Sequence, residues 1–369
     1  MTGSPRHWRI VHSESSLGWG GQEHRVLAEL VGFQKRGCAV WLIAPRDSEI
    51  FQRAEKLGLP TVAVGFKKIS FLPNVFRLAR WLRRERIEVL NPHSSRDGWV
   101  LGLAGRLARV PFIVRTRHID VDYPNAFTSR IVFTKLADHV LTTSDKITHH
   151  FQKIFRLPDR RITTLPTGID LELFSPAGIP AELPGKISDA PLVGMVSVLR
   201  SWKGHQTFLE AAGHLKAAGF NTRFVIVGEG PSGERIKERC ASLQLHDVVT
   251  FAGHREDVPA VLRALDVLCI PSTKHEGVPQ IGLQALACKT AVVGSDVGGI
   301  PEIIRPGETG RIFPANDAAA LANAIRATLA ETESTRAFKE NGRAFVEKNS
   351  SIARMLDQLD ALYTRHIPA

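Results

Sequence analysis

Short runs of apolar and β-branched residues alternate along this chain with longer segments of helical periodicity. This alternation is typical of parallel sheets whose strands are joined by crossover helices, and it predicts an α/β fold. The alternation occurs on both sides of one turn-rich stretch. The predicted strands are 9–12, 39–44, 61–64, 88–90, 112–115 and 139–142 before that stretch, and 192–197, 224–227, 249–251, 267–270, 291–294 and 310–313 after it.

The turn-rich stretch divides a chain that is too long for one hydrophobic core. The chain has 369 residues, whereas single cores stop growing at roughly 250–300 residues. Prolines and glycines cluster between Pro176 and Gly185, which marks a linker. We therefore predict two doubly wound Rossmann-like domains facing a central cleft, with ligands at the carboxyl ends of the strands. The predicted bounds are 1–172 for the N-terminal domain, 173–190 for the linker, 191–347 for the C-terminal domain and 348–369 for a last helix that packs back toward the N-terminal domain.

Positive charge is concentrated in the first half of the chain. Residues 1–170 contain 27 Lys and Arg against 15 Asp and Glu, a net charge of +12, whereas residues 171–369 contain 21 against 22. A basic field confined to one half indicates an anionic partner, such as nucleic acid, an acidic membrane surface or a phosphorylated substrate. The sequence contains no nucleic-acid-binding motif, so we predict no nucleic-acid partner.

Residues 66–86 carry the densest positive charge, with seven Lys and Arg and one acid, Glu85. From Pro73 onward this segment has the periodicity of an amphipathic helix. A tryptophan among arginines on the outer face suits the headgroup region of an anionic membrane, so we predict membrane contact here. The alternative is an ordinary charged helix whose tryptophan packs on a neighbour. The predicted buried stripe is Val75, Leu78, Ala79 and Leu82, and the predicted outer face is Arg77, Arg80, Trp81 and Arg84.

Targeting signals and cysteine spacing favour a cytoplasmic protein. No apolar run approaches the ~18 residues that a membrane span needs, and residues 1–9 lack the apolar core of a secretory signal. The four cysteines have no CxxC spacing and are predicted to be reduced core thiols rather than a disulfide framework or a zinc site. We expect a cytoplasmic protein that is peripheral on the inner face of the cytoplasmic membrane, with no metal site and no cofactor.

Glycines and cations follow several of the predicted strands. Glycines at 20–21 precede a predicted helix whose free N–H groups would face a phosphate, although a tight turn without a ligand is the alternative. Two more glycines, Gly228 and Gly230, follow the strand at 224–227. Arg200 and Lys203 follow the first strand of the second half and could neutralise a pyrophosphate, although isolated cations are more often surface charges.

The strongest motif is the segment 272–287. A loop presents Glu276, and a helix is predicted after Pro279. The N–H groups beyond Gly277 would receive a diphosphate at that helix N-terminus. Glu276 and Gln284 are eight residues apart, a little over two helical turns, so they can face the same ligand. The candidate binding residues are Gly277, Val278, Pro279, Gln280, Ile281 and Gln284.

Together these segments resemble the E-x7-E region and surrounding motifs of the retaining glycosyltransferases of family 4 (glycosyl transferases group 1), which have the GT-B fold. Further matches lie at 91–95, 116–118 and 166–170, so the resemblance covers nearly the whole chain. It implies retaining transfer of a sugar from a nucleotide diphosphate sugar to a glycan- or lipid-linked acceptor, in bacterial lipopolysaccharide, exopolysaccharide or glycolipid synthesis. The N-terminal domain would bind the acceptor and the C-terminal domain the nucleotide sugar.

The resemblance also implies roles for single residues. Glu276 would orient the hydroxyls of the donor sugar, and Gln284 would bind the ribose. His118 would face the sugar from the first domain, although a core or loop histidine is the alternative. Arg200, Lys203 and the helix N-terminus would stabilise the leaving diphosphate without a metal. The implied acceptor-side residues are His93, Ser94, Ser95, Arg96 and Arg117, and the implied donor-binding residues include Gly20, Gly21, Gly228 and Gly230.

The sequence departs from the family pattern in two places. Gln284 stands where the family has a second glutamate, which removes the charge-assisted part of a hydrogen bond to ribose, roughly 1 kcal/mol. The family's arginine lies five residues before the lysine, a position that Val198 occupies here, and Arg200 would replace it. The D-x-D sequence at 120–122 matches a metal signature of another glycosyltransferase fold, and we interpret it as a chance match.

Two other functions are compatible with the sequence. A GT-B protein that binds a sugar nucleotide without turnover is compatible with Gln284, and a nonhydrolysing sugar-nucleotide epimerase shares the fold. Slow hydrolysis of a nucleotide sugar supports a transferase, and isomerisation of the free donor supports an epimerase. Binding with neither reaction supports the function without turnover.

Overall fold

The computed structural model describes residues 6–118, 126–274, 276–330 and 332–368. The chain divides into two units. One unit contains Met1–Gly168 together with Ile352–Ala369, and the other contains Ile169–Ser351. Each unit is built on a parallel β-sheet whose strands are connected by helices, so the predicted α/β fold is confirmed.

Within the described residues, the first unit is built around a parallel sheet of seven strands. Its strands are β1 (Arg9–Ser13), β2 (Ala39–Ala44), β3 (Thr61–Ala63), β4 (Val89–Pro92), β5 (Phe112–Arg117), β6 (His139–Thr142) and β7 (Ile162–Thr164), and its first helices are α1 (Gly21–Lys35), α2 (Glu49–Lys56), α3 (Phe71–Arg84), α4 (Ser95–Ala108), α5 (Ala126–Thr134) and α6 (Asp145–Phe155). In the sheet the strands lie in the order β3-β2-β1-β4-β5-β6-β7.

The central strands of this sheet are apolar on both faces. β1 pairs in parallel with β2 on one side and with β4 on the other. Because successive side chains of a strand point to opposite faces, Ile10 and Val11 enter different cores. Ile10 packs in the core that contains Phe33, and Val11 packs in the core that contains Leu78. Because both faces of these strands are buried, successive residues are apolar and the sequence contains continuous apolar runs.

The second unit contains, in its described part, a parallel sheet of six strands. Its strands are β8 (Leu192–Val196), β9 (Arg223–Val227), β10 (Val249–Gly253), β11 (Val267–Ile270), β12 (Ala291–Ser295) and β13 (Arg311–Phe313), and its helices are α7 (His205–Ala217), α8 (Gly233–Ser242), α9 (Val258–Ala264), α10 (Gln280–Ala287), α11 (Ile300–Ile303), α12 (Ala318–Leu329) and α13 (Glu333–Asn349). The strand order is β10-β9-β8-β11-β12-β13, so the direction of winding reverses between β8 and β11.

The last helix, α14 (Ile352–His366), belongs to the first unit and packs against α1. Its Met355, Leu356 and Tyr363 are buried in the same core as Phe33. A Cβ atom at Gly32 would lie 2.4 Å from Cδ1 of Leu356. Glycine at this position of α1 therefore lets the two helices approach closely.

All twelve predicted strands are present, with ends that differ from the prediction by at most two residues. The strand β7 was not predicted. It contains only three residues, two of which are threonines, and it lies at the edge of its sheet. The four cysteines are free and buried, which confirms that they are core thiols.

Helix α3 confirms the predicted buried stripe and the three exposed arginines of the predicted outer face, but not the position of Trp81. Val75, Leu78 and Leu82 are buried. Trp81 is half-buried, and its ring packs edge-on against Trp41 with the ring centroids 6.0 Å apart. The prediction of a solvent-facing tryptophan is therefore wrong, because a second large ring on β2 covers it. Among the described residues, no helix combines the length and the apolar character needed to cross a membrane.

Candidate functional site

The motifs of the second unit meet where the loops after β8 and β11 come together. These strands are neighbours in the sheet, although β9 and β10 intervene in the chain. Open α/β sheets bind ligands at such a switch point. The loop after β8 contains a short 3₁₀ helix, Ser201–Lys203. The loop after β11 joins it through a hydrogen bond of 2.7 Å from the backbone N–H of Thr273 to the carbonyl of Trp202.

Lys203 and Glu276 form an ion pair across this junction. The Nζ atom of Lys203 donates to Oε1 of Glu276 at 2.8 Å and to Oε2 at 2.9 Å. The Oγ atom of Ser272 also donates to Oε2, at 2.9 Å. Ser295, at the end of β12, donates to the carbonyl of Ser272 at 2.6 Å. The carboxylate of Glu276, whose side chain is 9% exposed, is therefore held in one orientation.

Two glycines with positive φ allow the surrounding loops to pack closely. Gly204 has a φ of +80°, and a Cβ atom there would lie 1.7 Å from the carbonyl oxygen of Pro271. Gly298 has a φ of +61°, and a Cβ atom there would lie 2.0 Å from the carbonyl oxygen of Glu276. Neither position has room for a side chain, so both contacts depend on glycine.

Helix α10 begins directly after the Glu276 loop, with Pro279 as its N-cap residue. The first N–H groups of a helix have no partner within the helix and carry partial positive charge. They follow the ion pair closely in the chain, as the motif predicts. Among the predicted binding residues, Gly277, Val278 and Pro279 are buried, whereas Gln280, Ile281 and Gln284 are half-buried.

The two predicted cations occupy different surroundings. Lys203 contacts Glu276, as described above, and its side chain is 24% exposed. Arg200 is exposed, and its guanidinium carbon lies 5.2 Å from the ring centroid of Trp202. Arg200 therefore stacks on the 3₁₀ helix, while Lys203 forms the ion pair.

A cavity of about 530 Å³ lies at the carboxyl ends of β9 and β10. The predicted residues Gly228 and Gly230 both line it. Leu199 and Phe251 contribute apolar surface. The charged lining residues are Lys237, which pairs with Glu234 at 2.9 Å, and Glu229. The structure therefore brings the two glycines of the turn after β9 to one concave surface, on which the positive charge is already paired with a carboxylate.

In the first unit, polar side chains collect at the carboxyl ends of β1 and β4. Ser94 is the N-cap residue of α4 and forms a capping box with Asp97. Glu14 is buried and accepts hydrogen bonds from Ser94 and Gln22. Asp97 accepts one from the Oγ atom of Ser13 at 2.8 Å. Burial, together with the charge of Glu14, raises the pKa of Asp97 to about 7.

Two predicted histidines are in direct contact. His93 follows β4, His118 follows β5, and Nδ1 of His93 lies 2.9 Å from Nε2 of His118. Burial lowers the pKa of both histidines well below the usual value, so both rings are neutral at pH 7. The D-x-D sequence at 120–122 lies outside the described residues. Of the other predicted residues in this unit, Ser95 and Arg96 are exposed on α4, Arg117 is half-buried at the end of β5, and Gly20 and Gly21 lie at the start of α1.

Comparison with known proteins identifies the family. The model of glycosyl transferases group 1 matches residues 183–345, and the model of Glycosyltransferase Family 4 matches residues 19–173. A lipopolysaccharide core biosynthesis mannosyltransferase of Rhizobium leguminosarum bv. viciae is 31% identical over 291 residues, which are 76% of this chain and 79% of the relative. The chain belongs to glycosyltransferase family 4. It is therefore a retaining glycosyltransferase of the hexosyltransferase type that uses a nucleotide sugar.

Solved structures with the GT-B fold resemble this chain over almost its whole length. A glycosyltransferase from Rickettsia africae ESF-5 has a TM-score of 0.88 at 21% identity, covering 98% of this chain and 99% of that chain. Anabaena Alr3699/HepE in complex with UDP and glucose has a TM-score of 0.81 at 20% identity, covering 96% and 99%. The predicted GT-B fold is confirmed.

Each of the two clusters described above contains supporting residues that sequence reasoning missed. Ser272 and Ser295 hold the Glu276 loop, but serine after a strand is too common to be a signal. No sequence feature indicated a role for Glu14 either. Asp97 could have been found, because Ser94 and Asp97 have the spacing of a capping box, in which two side chains satisfy each other's backbone N–H groups.

Proposed function

We propose that this glycosyltransferase moves a hexose from a nucleotide diphosphate sugar to a glycan- or lipid-linked acceptor in bacterial lipopolysaccharide, exopolysaccharide or glycolipid synthesis. The observation that carries the proposal is the Lys203–Glu276 ion pair at the switch point of the second unit. It combines a cation for the leaving diphosphate with a carboxylate for the hydroxyls of the sugar.

The chemistry of transfer explains why both groups are needed. The sugar becomes oxocarbenium-like while the diphosphate leaves with growing negative charge. Lys203 and the N-terminus of α10 would stabilise this charge from fixed positions, which costs no reorganisation during the reaction. Glu276 would hold the sugar hydroxyls, and His118 would face the sugar from the first unit. A same-face displacement assisted by the leaving phosphate would then retain the configuration.

The names of relatives support a uridine nucleotide and an envelope acceptor. A relative in Escherichia coli is a UDP-Gal:alpha-D-GlcNAc-diphosphoundecaprenol alpha-1,3-galactosyltransferase, 25% identical over 320 residues, which are 83% of this chain and 82% of the relative. The Rhizobium mannosyltransferase acts in lipopolysaccharide core biosynthesis. We therefore place UDP sugars first among the donors to be tested, with GDP sugars second.

A donor panel tests the proposal. Purified protein is incubated with UDP-glucose, UDP-galactose, UDP-N-acetylglucosamine and GDP-mannose, and both the free nucleotide and the sugar anomer are followed. Slow release of one nucleotide, lost in Glu276→Gln, is the expected result. Isomerisation of the intact donor would instead establish an epimerase. Stabilisation by a nucleotide without release or isomerisation would establish a binding protein without turnover.

The second part of the proposal is attachment to an anionic membrane through α3 and the residues before it, on the inner face of the cytoplasmic membrane. Three large apolar side chains are exposed there: Ile69 at 91%, Leu72 at 61% and Phe76 at 64%. Leu72 and Phe76 are four residues apart and therefore share one face of the helix. Exposed cations surround this apolar face, namely Lys67, Lys68, Arg77, Arg80 and Arg84.

This combination fits a membrane surface better than it fits water. The apolar side chains would enter the boundary between headgroups and acyl chains, while the cations would contact anionic headgroups. Each basic residue near such a surface contributes about 1 kcal/mol. Trp81 has no part in this contact, because it packs on Trp41. The apolar contact is instead made by Ile69, Leu72 and Phe76.

A further inference from the structure

A row of buried side chains in the first unit ends at His118. His12 lies on β1, His93 follows β4 and His118 follows β5, and these three strands are neighbours in the sheet. Nδ1 of His12 is 2.9 Å from Nε2 of His93, and Nδ1 of His93 is 2.9 Å from Nε2 of His118. At the other end, Nε2 of His12 lies 3.7 Å from Oε2 of Glu29. All four side chains are buried.

Arg25 fixes Glu29 at the beginning of this row. Its Nε atom donates to Oε1 of Glu29 at 2.6 Å, and its Nη1 atom donates to the carbonyl of Leu165 at 2.7 Å. Both side chains of the pair are fully buried. A carboxylate paired with a guanidinium accepts hydrogen bonds but cannot donate them. Glu29 is therefore an acceptor facing one end of the histidine row.

The charge state of the histidines limits how protons can be arranged. Burial lowers the pKa of His12 to about 4 and the pKa of His93 and His118 well below the usual value. Each ring is therefore neutral at pH 7, with one N–H group and one unprotonated nitrogen. In each contact between two rings, one nitrogen must donate and the other must accept. The N–H groups of the three rings must consequently all point in the same direction.

Glu29 selects that direction through its negative charge, because its Oε2 atom, 3.7 Å from Nε2 of His12, is too far away for a hydrogen bond. An N–H group on Nε2 turns the positive end of its dipole toward this charge, whereas a bare Nε2 would turn its lone pair toward it, so the proton of His12 belongs on Nε2. Nδ1 of His12 then accepts from Nε2 of His93, and Nδ1 of His93 accepts from Nε2 of His118. The last nitrogen of the row, Nδ1 of His118, is left as an acceptor.

We propose that Glu29, His12 and His93 are positioning residues that fix His118 in the tautomer whose Nδ1 accepts a hydrogen bond from a hydroxyl of the donor sugar. The inference rests on the proposed function, which places His118 at that sugar. A hydroxyl donates to an imidazole nitrogen, whereas a C–F group cannot. The enzyme therefore loses this hydrogen bond when the donor carries fluorine in place of the hydroxyl, whereas the opposite tautomer could still direct its N–H group toward the fluorine.

The tautomers can be measured without any substrate. In protein labelled with ¹⁵N-histidine, long-range ¹H–¹⁵N spectra show which ring nitrogen carries the proton, and single histidine variants assign the signals. We expect a proton on Nε2 of His12, His93 and His118. We expect mixed tautomers in the Arg25→Met/Glu29→Met double variant, since replacing a buried ion pair by apolar side chains is often tolerated.

Two results would overturn the proposal. One is a wild-type His118 that carries its proton on Nδ1, and the other is a double variant with unchanged tautomers. If the double variant does not fold, Glu29→Gln provides the same comparison, because an amide can donate as well as accept. The wild-type spectrum alone also shows in which direction the N–H groups of the three rings point.

A kinetic test uses the donor found in the panel and its monodeoxyfluoro analogues. Fluorine also slows every variant inductively, because the transition state is oxocarbenium-like, so the hydrogen bond is measured as the loss relative to His118→Ala. For one analogue the wild-type enzyme should lose kcat/KM by roughly twofold to tenfold more than His118→Ala does, the size of one neutral hydrogen bond. This excess discrimination should disappear in the double variant. The matched control is His139→Gln, which alters another buried histidine of the same unit, whose Nε2 contacts Thr163 at 2.9 Å. It should keep the excess discrimination.

The two tests separate this inference from the proposed function. Excess discrimination that persists in the double variant would contradict the role of Glu29 even if transfer is confirmed. If the enzyme uses no nucleotide sugar of the panel as a donor, the proposed function is contradicted. The spectra would still show whether Glu29 sets the tautomer of His118.

Discussion

Lys203 holds both carboxylate oxygens of Glu276, with distances of 2.8 and 2.9 Å from its Nζ atom. The two residues are 73 positions apart in the chain, and they meet because β8 and β11 are adjacent in the sheet. Under the proposed function, one lysine then links the carboxylate that positions the sugar to the diphosphate that receives negative charge.

Replacement of Lys203 by alanine should lower kcat by roughly 10²–10³, the usual effect of losing one electrostatic donor. Donor hydrolysis and transfer rates measure this. Lys274→Ala is the control, because Lys274 is an exposed lysine of the loop that carries Glu276. It should keep its activity. Near-normal activity in a folded Lys203→Ala protein would contradict the assignment, and melting curves of both variants distinguish loss of chemistry from loss of fold.

Gln284→Glu restores the carboxylate of the family pattern and should be tolerated. A charge-assisted hydrogen bond to the ribose should tighten UDP binding by roughly 1 kcal/mol, which isothermal titration calorimetry can measure. Gln284→Leu has a similar size but no hydrogen-bonding group, and it should weaken UDP binding. If Gln284→Glu abolishes transfer while UDP affinity is unchanged, Gln284 does not bind the ribose.

Gly204→Ala should destabilise the second unit strongly. Two glycines of this unit have nearly equal positive φ, +80° at Gly204 and +73° at Gly219. A Cβ atom at Gly219 would have no neighbour within 4 Å, whereas one at Gly204 would collide with the carbonyl of Pro271. Gly219→Ala should cost roughly 1–2 kcal/mol from its conformation alone. Denaturant unfolding should show a clearly larger loss for Gly204→Ala, and equal losses would contradict the collision.

The raised pKa of Asp97 predicts a pH dependence of stability. Between about 4, the usual carboxyl pKa, and about 7, the pKa in the folded protein, the folded state keeps a proton that the unfolded state has lost. Stability from this group therefore falls as pH rises through this window. Residue 97 cannot titrate in Asp97→Asn. The unfolding free energy of this variant, measured relative to that of the wild type, should therefore increase from pH 4 to pH 7.

A second carboxyl should behave in the same way. Burial, followed by the charge of Glu14, raises the pKa of Glu23 to about 7. The unfolding free energy of Glu23→Gln, relative to that of the wild type, should therefore also increase as pH rises. The buried histidines are unchanged in both variants, so their own titration cancels in the comparison. A difference that does not change with pH in either variant would show that neither carboxyl is protonated in the folded protein.

Membrane attachment should require both the cations and the apolar side chains of α3. Binding is measured by co-sedimentation with vesicles of phosphatidylcholine, with or without the anionic lipid phosphatidylglycerol. Binding should require phosphatidylglycerol and weaken as salt is added. The Arg77/Arg80/Arg84→Glu variant should lose binding. Leu72→Ser/Phe76→Ser should also weaken it, although the net charge is unchanged.

The control for net charge is a triple variant of exposed arginines in the second unit, Arg235/Arg326/Arg336→Glu. It makes the same change in total charge, so it should retain most of the vesicle binding. Equal losses in the two triple variants would mean that total charge drives binding. Normal binding by the α3 variant would assign the positive charge of the first unit to a soluble anionic acceptor.

The elements of this fold were predictable from sequence, but their neighbours were not. Apolar runs of four to six residues, such as Val267–Ile270, predict buried strands because both faces of a parallel sheet are covered. β7 has one apolar residue, Ile162, followed by two threonines, which is too little for a strand signal. Trp81 was misplaced because helical periodicity cannot reveal that Trp41 of another strand lies beside it.

The site shows the same limit. The motif around Glu276 predicted its loop and its helix, because glycine and proline before a helix follow local rules. The partnership with Lys203 depends on strand order, which no local pattern contains. The histidine row likewise joins His12, an unremarked residue within an apolar strand, to two residues from separate motifs.

Helix α14 has a consequence for the order in which the chain becomes folded. It supplies Met355, Leu356 and Tyr363 to the core around Phe33, yet it follows the whole second unit in the sequence. On the ribosome, the residues of the second unit emerge completely before this core can close. The amino-terminal unit, although synthesised first, therefore keeps part of its apolar surface uncovered until the residues of α14 have been synthesised.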